Sequence, residues 1–115
     1  MLLDDLTALN RLPWHRSLLE RAVGSFREDG WVLGLVLSGS LARGGADFYS
    51  DVDLYVIVRD EAFDAVFAER DAAAEAIGSP LLRFTVEPVP GGSRDYIVTY
   101  PGPVKLDLMY YRRSF

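Results

Sequence analysis

The sequence contains no cysteine, one histidine and one lysine. Without cysteine there is no disulfide framework, no thiolate-bound zinc or iron–sulfur cluster, and no thiol nucleophile. With His15 as the sole imidazole, histidine-based metal sites and catalytic triads have little to draw on. Positive charge is also scarce. Lys105 is the single lysine among 12 basic residues, set against 17 acidic ones, so the net charge is −5. A broad electrostatic hold on nucleic acid needs clustered Lys and Arg, and this balance argues against nucleic acid as a partner. Long apolar runs are missing as well. The longest, residues 31–37, falls far short of the ~20 residues that span a bilayer. The N-terminus lacks the basic and apolar regions of a signal peptide. These absences predict a soluble, cytoplasmic protein with no membrane partner.

What is present fits one globular domain covering residues 1–115, with 50% hydrophobic and 25% charged residues. Leucines at threes predict a short helix over residues 2–12. A second helix over 14–28 carries Leu18, Leu19, Ala22, Val23 and Phe26 at helical spacing, with Pro13 suited to its first turn. The continuous apolar run 31–37 reads as a strand buried on both faces. After Ser38-Gly39-Ser40, residues 41–43 read as one helical turn and 44–50 as loop. Residues 52–59 read as a second strand. A single helix is predicted over 61–77, with Asp60 as its N-cap. Strands follow over 81–89, 95–100 and 104–111, the first two joined as a hairpin through the turn at 90–93. This order predicts an α+β fold, a mixed five-stranded sheet with helices packed mainly on one face.

Three segments carry the chemistry. Gly39-Ser40 follows a strand and opens a helical turn, where backbone N–H groups and a hydroxyl can cradle an anion. Such small residues also make ordinary turns. Asp51 and Asp53 alternate along a strand and so point to one side. Their carboxylates repel unless a cation lies between them, and hard divalent ions such as Mg²⁺ take such ligands together with substrate phosphates. Asp107 lies mid-strand, on one face with Lys105 and Met109, and is costly to bury without a partner. Singly, each has an ordinary reading as a turn, a strand-end residue or a solvated face.

Together they read Gly39-Ser40, ten residues, Asp51-Val52-Asp53, then Asp107 in a later strand. This resembles the nucleotidyltransferase superfamily, which includes DNA polymerase β, the aminoglycoside nucleotidyltransferases and the minimal nucleotidyltransferases. The resemblance rests on 37–44, 50–56 and 105–108, and the order of elements agrees over nearly the whole chain. It implies a polymerase β palm-like fold and a reaction in which a nucleoside monophosphate passes from an NTP, ATP first among them, to a hydroxyl acceptor. Gly39 and Ser40 would then hold the β- and γ-phosphates. Asp51, Asp53 and Asp107 would bind two Mg²⁺ ions and form the catalytic set. Ser50 would orient Asp51 or touch phosphate. Arg43 would touch phosphate or pair with Asp47, and the brace to Asp47 is the favoured reading.

Other candidates are weaker. Glu87 could serve as an accessory base if the sheet order brings its strand near. Tyr96, Tyr100, Tyr110 and Tyr111 could stack a base, though strand aromatics are more often core. His15 reads as structural. The acceptor stays open between an antibiotic-like small molecule and a protein side chain. The short length favours the minimal type, whereas the 53 residues between Asp53 and Asp107 favour larger relatives. Those carry a C-terminal helical domain not found in this sequence, which leaves a fragment and a homodimer both open. Two alternatives stand beside the enzyme: an antitoxin that modifies or covers a helical partner protein, and an inactive nucleotide-binding regulatory module.

Overall fold

This computed structural model describes residues 11–87 and 93–114. The predicted helix over 2–12 and the turn over 90–93 therefore lie largely outside the described residues. Pro13 opens α1 (Pro13–Arg27), where its missing N–H costs nothing. His15, Leu18, Leu19, Ala22 and Phe26 form the buried face of α1. Then come β1 (Val32–Ser38), α2 (Gly39–Arg43) and β2 (Val52–Val58). A 3₁₀ turn (Asp60–Ala62) leads into α3 (Phe63–Ala68) and α4 (Arg70–Ile77), followed by β3 (Leu82–Thr85), β4 (Arg94–Tyr100) and β5 (Val104–Arg112).

The five strands form one mixed sheet in the order β1-β2-β5-β4-β3. Only β2 and β5 are parallel; the other neighbours are antiparallel. Alternation divides the sheet into two faces. Val52, Leu54, Val56 and Val58 of β2 are fully buried, as are Val104, Leu106, Leu108 and Tyr110 of β5 and Tyr96, Val98 and Tyr100 of β4. They join one core with Leu18, Leu19, Ala22 and Phe26 of α1, Phe63, Val66 and Phe67 of α3, and Ala74 and Ile77 of α4. Tyr100 fastens sheet to helix by donating its hydroxyl to the Ala74 carbonyl at 2.7 Å. The opposite face carries Asp53, Tyr55 and Ile57 from β2 and Asp107, Met109 and Tyr111 from β5, all only partly buried. The mixed sheet with helices on one face is as the sequence predicts.

Four local expectations change. The 31–37 run is not buried on both faces. β1 is an edge strand, and Leu33 and Val36 are 41% and 49% exposed, because the helices of the described residues cover one side of the sheet. The helix over 61–77 divides at Glu69. The Glu69 N–H bonds the Val66 carbonyl three residues back, closing α3 as a tight turn, while Arg70 Nη1 donates to the Phe67 carbonyl. Asp60 is no side-chain cap; it accepts from the Ser114 N–H at 3.0 Å, tying the end of β5 to this turn. The third strand spans only Leu82–Thr85, so Glu87 lies beyond it and is exposed. Among the described residues, no helix is long and apolar enough to cross a membrane.

Candidate active site

The site is assembled where β1 gives way to α2. Gly39 has φ +71°, a left-handed backbone that side chains rarely tolerate. A Cβ built on Gly39 would stand 2.1 Å from Asp53 Oδ2. Glycine is required here twice, once by the backbone and once by the carboxylate lying against it. Ser40 follows on α2, which is anchored by buried Leu41 and closed by Gly44 at φ +81°, whose N–H reaches the Ser40 carbonyl.

The loop into β2 is tied rather than loose. Asp47 N–H donates to Ser50 Oγ at 3.0 Å, and Tyr49 N–H donates to Asp47 Oδ1 at 2.9 Å. His15, on the buried face of α1, donates from Nε2 to the Ser50 carbonyl at 2.7 Å. The residue before Asp51 is thereby fixed from the helix layer. His15 is structural, as its sequence context suggests, but it pins the loop that delivers Asp51.

Strand register does the rest. The antiparallel partner of Asp53 on β1 is Ser38, and its parallel partner on β5 is Asp107. Directly opposed residues share a face, so the two carboxylates stand side by side. Asp51, just ahead of β2, pairs with Lys105 at 3.2 Å. Asp107 Oδ1 is enclosed and has no hydrogen-bond partner. Burial pushes the Asp107 carboxyl up to about 6, with Asp95 and then Asp53 adding repulsion and Lys105 opposing it. Burial also raises Asp53, helped by Asp51 and opposed by Lys105 and Arg43.

The residues suit a hard divalent cation. The donors are all oxygen, one of them is enclosed without a partner, and their mutual repulsion is what a cation would relieve. As the carboxylates stand, no three ligand side chains among the described residues close around one point. Lys105 engages Asp51 through Oδ2.

The structure thus brings Gly39, Asp53 and Asp107 together, with Asp51 beside them through Lys105. Ser40 lies one residue beyond Gly39. Ser50 Oγ is engaged by the Asp47 N–H. Arg43 is exposed, and the ion pairs of the described residues do not include the favoured brace to Asp47; its charge acts on Asp53 instead. Glu87 follows β3, an outer strand separated from β5 by β4. Tyr96, Tyr100 and Tyr110 are core residues. Tyr111 lies on the open face, its ring 5.3 Å from Tyr55. Sequence reasoning missed Asp95, which shares the open face of β4 with Ile97, the partner of Asp107. Period two within β4, once β4 is paired to β5, is the signal that finds it.

A family profile described as a nucleotidyltransferase domain matches residues 19–87, more than half of the sequence. The chain belongs to the nucleotidyltransferase domain family. Its fold is similar to that of an aminoglycoside 6-adenyltransferase from Bacillus subtilis, with a TM-score of 0.62 and 20% identity over 85% of this chain. It is similar also to the Cid1 poly(U) polymerase, in an H336N mutant bound to MgATP, with a TM-score of 0.64 and 18% identity over 83% of this chain. The matches cover 35% and 30% of those proteins, so the present chain spans about a third of their length. No curated protein matches the sequence.

Two predictions follow from the geometry. Gly39→Ala should cost about 1–2 kcal/mol in urea unfolding through left-handed strain and should displace Asp53. Gly45→Ala, with open space at its Cβ, should change stability by less than ~0.5 kcal/mol. Equal effects of the two would contradict the cradle. The second prediction concerns pH in divalent-free buffer. The folded Asp107 carboxyl holds its proton more tightly than the unfolded one, so its contribution to stability falls as pH rises from about 4 through about 6. Asp107→Asn should match wild type near pH 4 and exceed it by ~1 kcal/mol at pH 7, after allowance for solvent screening. Thermal unfolding across this range checks it; a constant difference would count against the buried charge.

Proposed function

We propose that this domain transfers a nucleoside monophosphate from an NTP, with ATP the leading candidate, to a hydroxyl acceptor, releasing pyrophosphate in a Mg²⁺-dependent reaction. The single observation behind the reading is the position of Asp53, lodged against the Gly39 backbone on one side and paired in register with Asp107 on the other. In this reading Gly39 and Ser40 hold the β- and γ-phosphates. Arg43 and Ser50 flank that end of the site, and the positive charge of Arg43 already reaches Asp53. Asp51, Asp53 and Asp107 hold two Mg²⁺ ions, with Asp107 completing the site nearer the acceptor. When bound, two such ions supply charge stabilisation across the attacking and leaving oxygens of an in-line displacement.

Family membership and the resemblance in fold to a MgATP-bound polymerase support the choice of nucleotide and ion. A small hydroxyl compound of antibiotic type is the first acceptor to try, given the likeness to an adenyltransferase acting on aminoglycosides. An inactive regulatory module would not be expected to retain Gly39, Ser40 and all three aspartates.

Isothermal titration of ATP, with and without Mg²⁺, tests the reading. Binding should require Mg²⁺ and fall at least tenfold in Asp53→Ala. Asp107→Asn should retain part of the binding but lose pyrophosphate release by roughly a thousandfold, because the acceptor-side ligand is removed. Binding indifferent to Mg²⁺ or to Asp53→Ala, or unchanged turnover in Asp107→Asn, would overturn it.

A further inference from the structure

A cavity of about 200 Å³ lies between α1 and the junction of α3 with α4, on the side of the sheet opposite Asp53 and Asp107. It sits where the Glu69 N–H turns back to the Val66 carbonyl at 3.2 Å and interrupts the helix. Phe26, Val66 and Ala73 supply apolar walls, and Asp29 and Glu69 supply carboxylates. Tyr110 of β5 also lines it. The volume is below the ~300–1,000 Å³ of sites that take drug-sized ligands, so a nucleotide does not fit and a small organic ion does.

Tyr110 is 0% exposed, yet its hydroxyl has no hydrogen-bond partner among the described residues. The other buried tyrosines of the sheet are satisfied: Tyr96 donates to Asp71, and Tyr100 donates to the Ala74 carbonyl at 2.7 Å. The Tyr110 ring packs edge-on between Phe26 of α1 and Phe67 of α3, with centroids 6.3 and 5.2 Å away, which sends its hydroxyl end into the seam between the helices. An unpaired buried hydroxyl carries its desolvation cost without return.

The charges around the cavity are also unanswered. Neither Asp29 nor Glu69 takes part in an ion pair of the described residues. Asp29 Oδ1 accepts the Trp31 N–H at 2.9 Å, which leaves its charge in place. Asp29 and Arg70 both lie within electrostatic reach of Tyr110. Arg70, however, is committed to Thr85 Oγ1 at 2.9 Å and to the Phe67 carbonyl at 3.1 Å.

We propose that this cavity binds a small primary alkylammonium ion. Its three N–H donors match the Tyr110 hydroxyl oxygen and the Asp29 and Glu69 carboxylates, and its chain lies against Phe26 and Val66. The aromatic rings of Phe26 and Tyr110 add attraction for a cation. An anion is repelled by the carboxylates, and a neutral alcohol leaves their charge unanswered. The site is separate from the proposed nucleotidyl-transfer centre and shares no residue with it, so failure of ATP to bind leaves the proposal standing.

The probes are n-butylammonium, 1-butanol and butyrate, titrated at constant low ionic strength against the full chain while NMR follows the Tyr110 ring signals, assigned through Tyr110→Phe. Butylammonium should shift these signals at millimolar concentration. 1-Butanol and butyrate should bind at least tenfold more weakly, the range for charge-assisted contacts. Butylammonium should also raise the unfolding temperature of wild type. That rise should shrink at least fivefold in Tyr110→Phe and about threefold in Glu69→Gln, whose exposed carboxylate is partly screened. Without amine, Tyr110→Phe should unfold at or above the wild-type temperature, because it removes an unpaired hydroxyl and keeps the ring. Ring signals unmoved by butylammonium, equal binding of 1-butanol or butyrate, or an undiminished response in both variants would overturn the proposal. So would a lower unfolding temperature of amine-free Tyr110→Phe, which would show that the hydroxyl already has a partner.

Discussion

The parallel pairing of β2 with β5 holds Asp53 beside Asp107, and a slip of one residue in either strand would turn a carboxylate into the core. What prevents the slip is the other face of the same strands. Val52, Leu54, Val56 and Val58 interleave with Leu106, Leu108 and Tyr110 beneath α1, α3 and α4. Burying a side chain of this size is worth ~1.5–3 kcal/mol, so the apolar face sets a register that the charged face alone would oppose. α1, α3 and α4 pack on the face opposite Asp53 and Asp107, yet that packing keeps the two aspartates together.

A second set of constraints acts from the loops. Gly39 admits Asp53 because it has no side chain, and His15 pins the residue before Asp51 from α1. The resulting cluster is electrostatically unfavourable on its own. Asp107 and Asp53 both hold their protons more tightly than ordinary carboxyls, mainly through burial. A fold that keeps such groups without a protein cation for each gives up stability at the place where binding would restore it. Lys105 relieves part of the strain by pairing with Asp51.

Much of this was legible in the sequence, for particular reasons. The Gly39-Ser40 and Asp51-x-Asp53 spacing and the period-two placement of Asp107 are local patterns, and each survives in the structure. The order of elements gave the α+β class. What depended on neighbours was harder. Residues 31–37 form a continuous apolar run, but nothing within the run says whether a second layer covers it; among the described residues none does, and Leu33 and Val36 remain exposed. The break at Glu69 has no proline or glycine to announce it, and Arg70 satisfies the freed Phe67 carbonyl from outside the helical pattern. Asp60 carries the chemistry of a cap, but Ser114, distant in sequence, takes its carboxylate. Asp95 joins the site only through pairing between β4 and β5, which no local pattern specifies.

Gly39, Asp53 and Asp107 are thus the proposed nucleotide- and metal-binding centre. Paramagnetic broadening of backbone amide signals by Mn²⁺, with a non-hydrolysable ATP analogue, tests it most directly. The signals of Gly39, Ser40, Asp53 and Asp107 should broaden together and only when the nucleotide is present, while those of Asp71 and Glu75, on the helix side, should not. Broadening centred on Asp71 and Glu75, or none near Asp53 and Asp107, would contradict it.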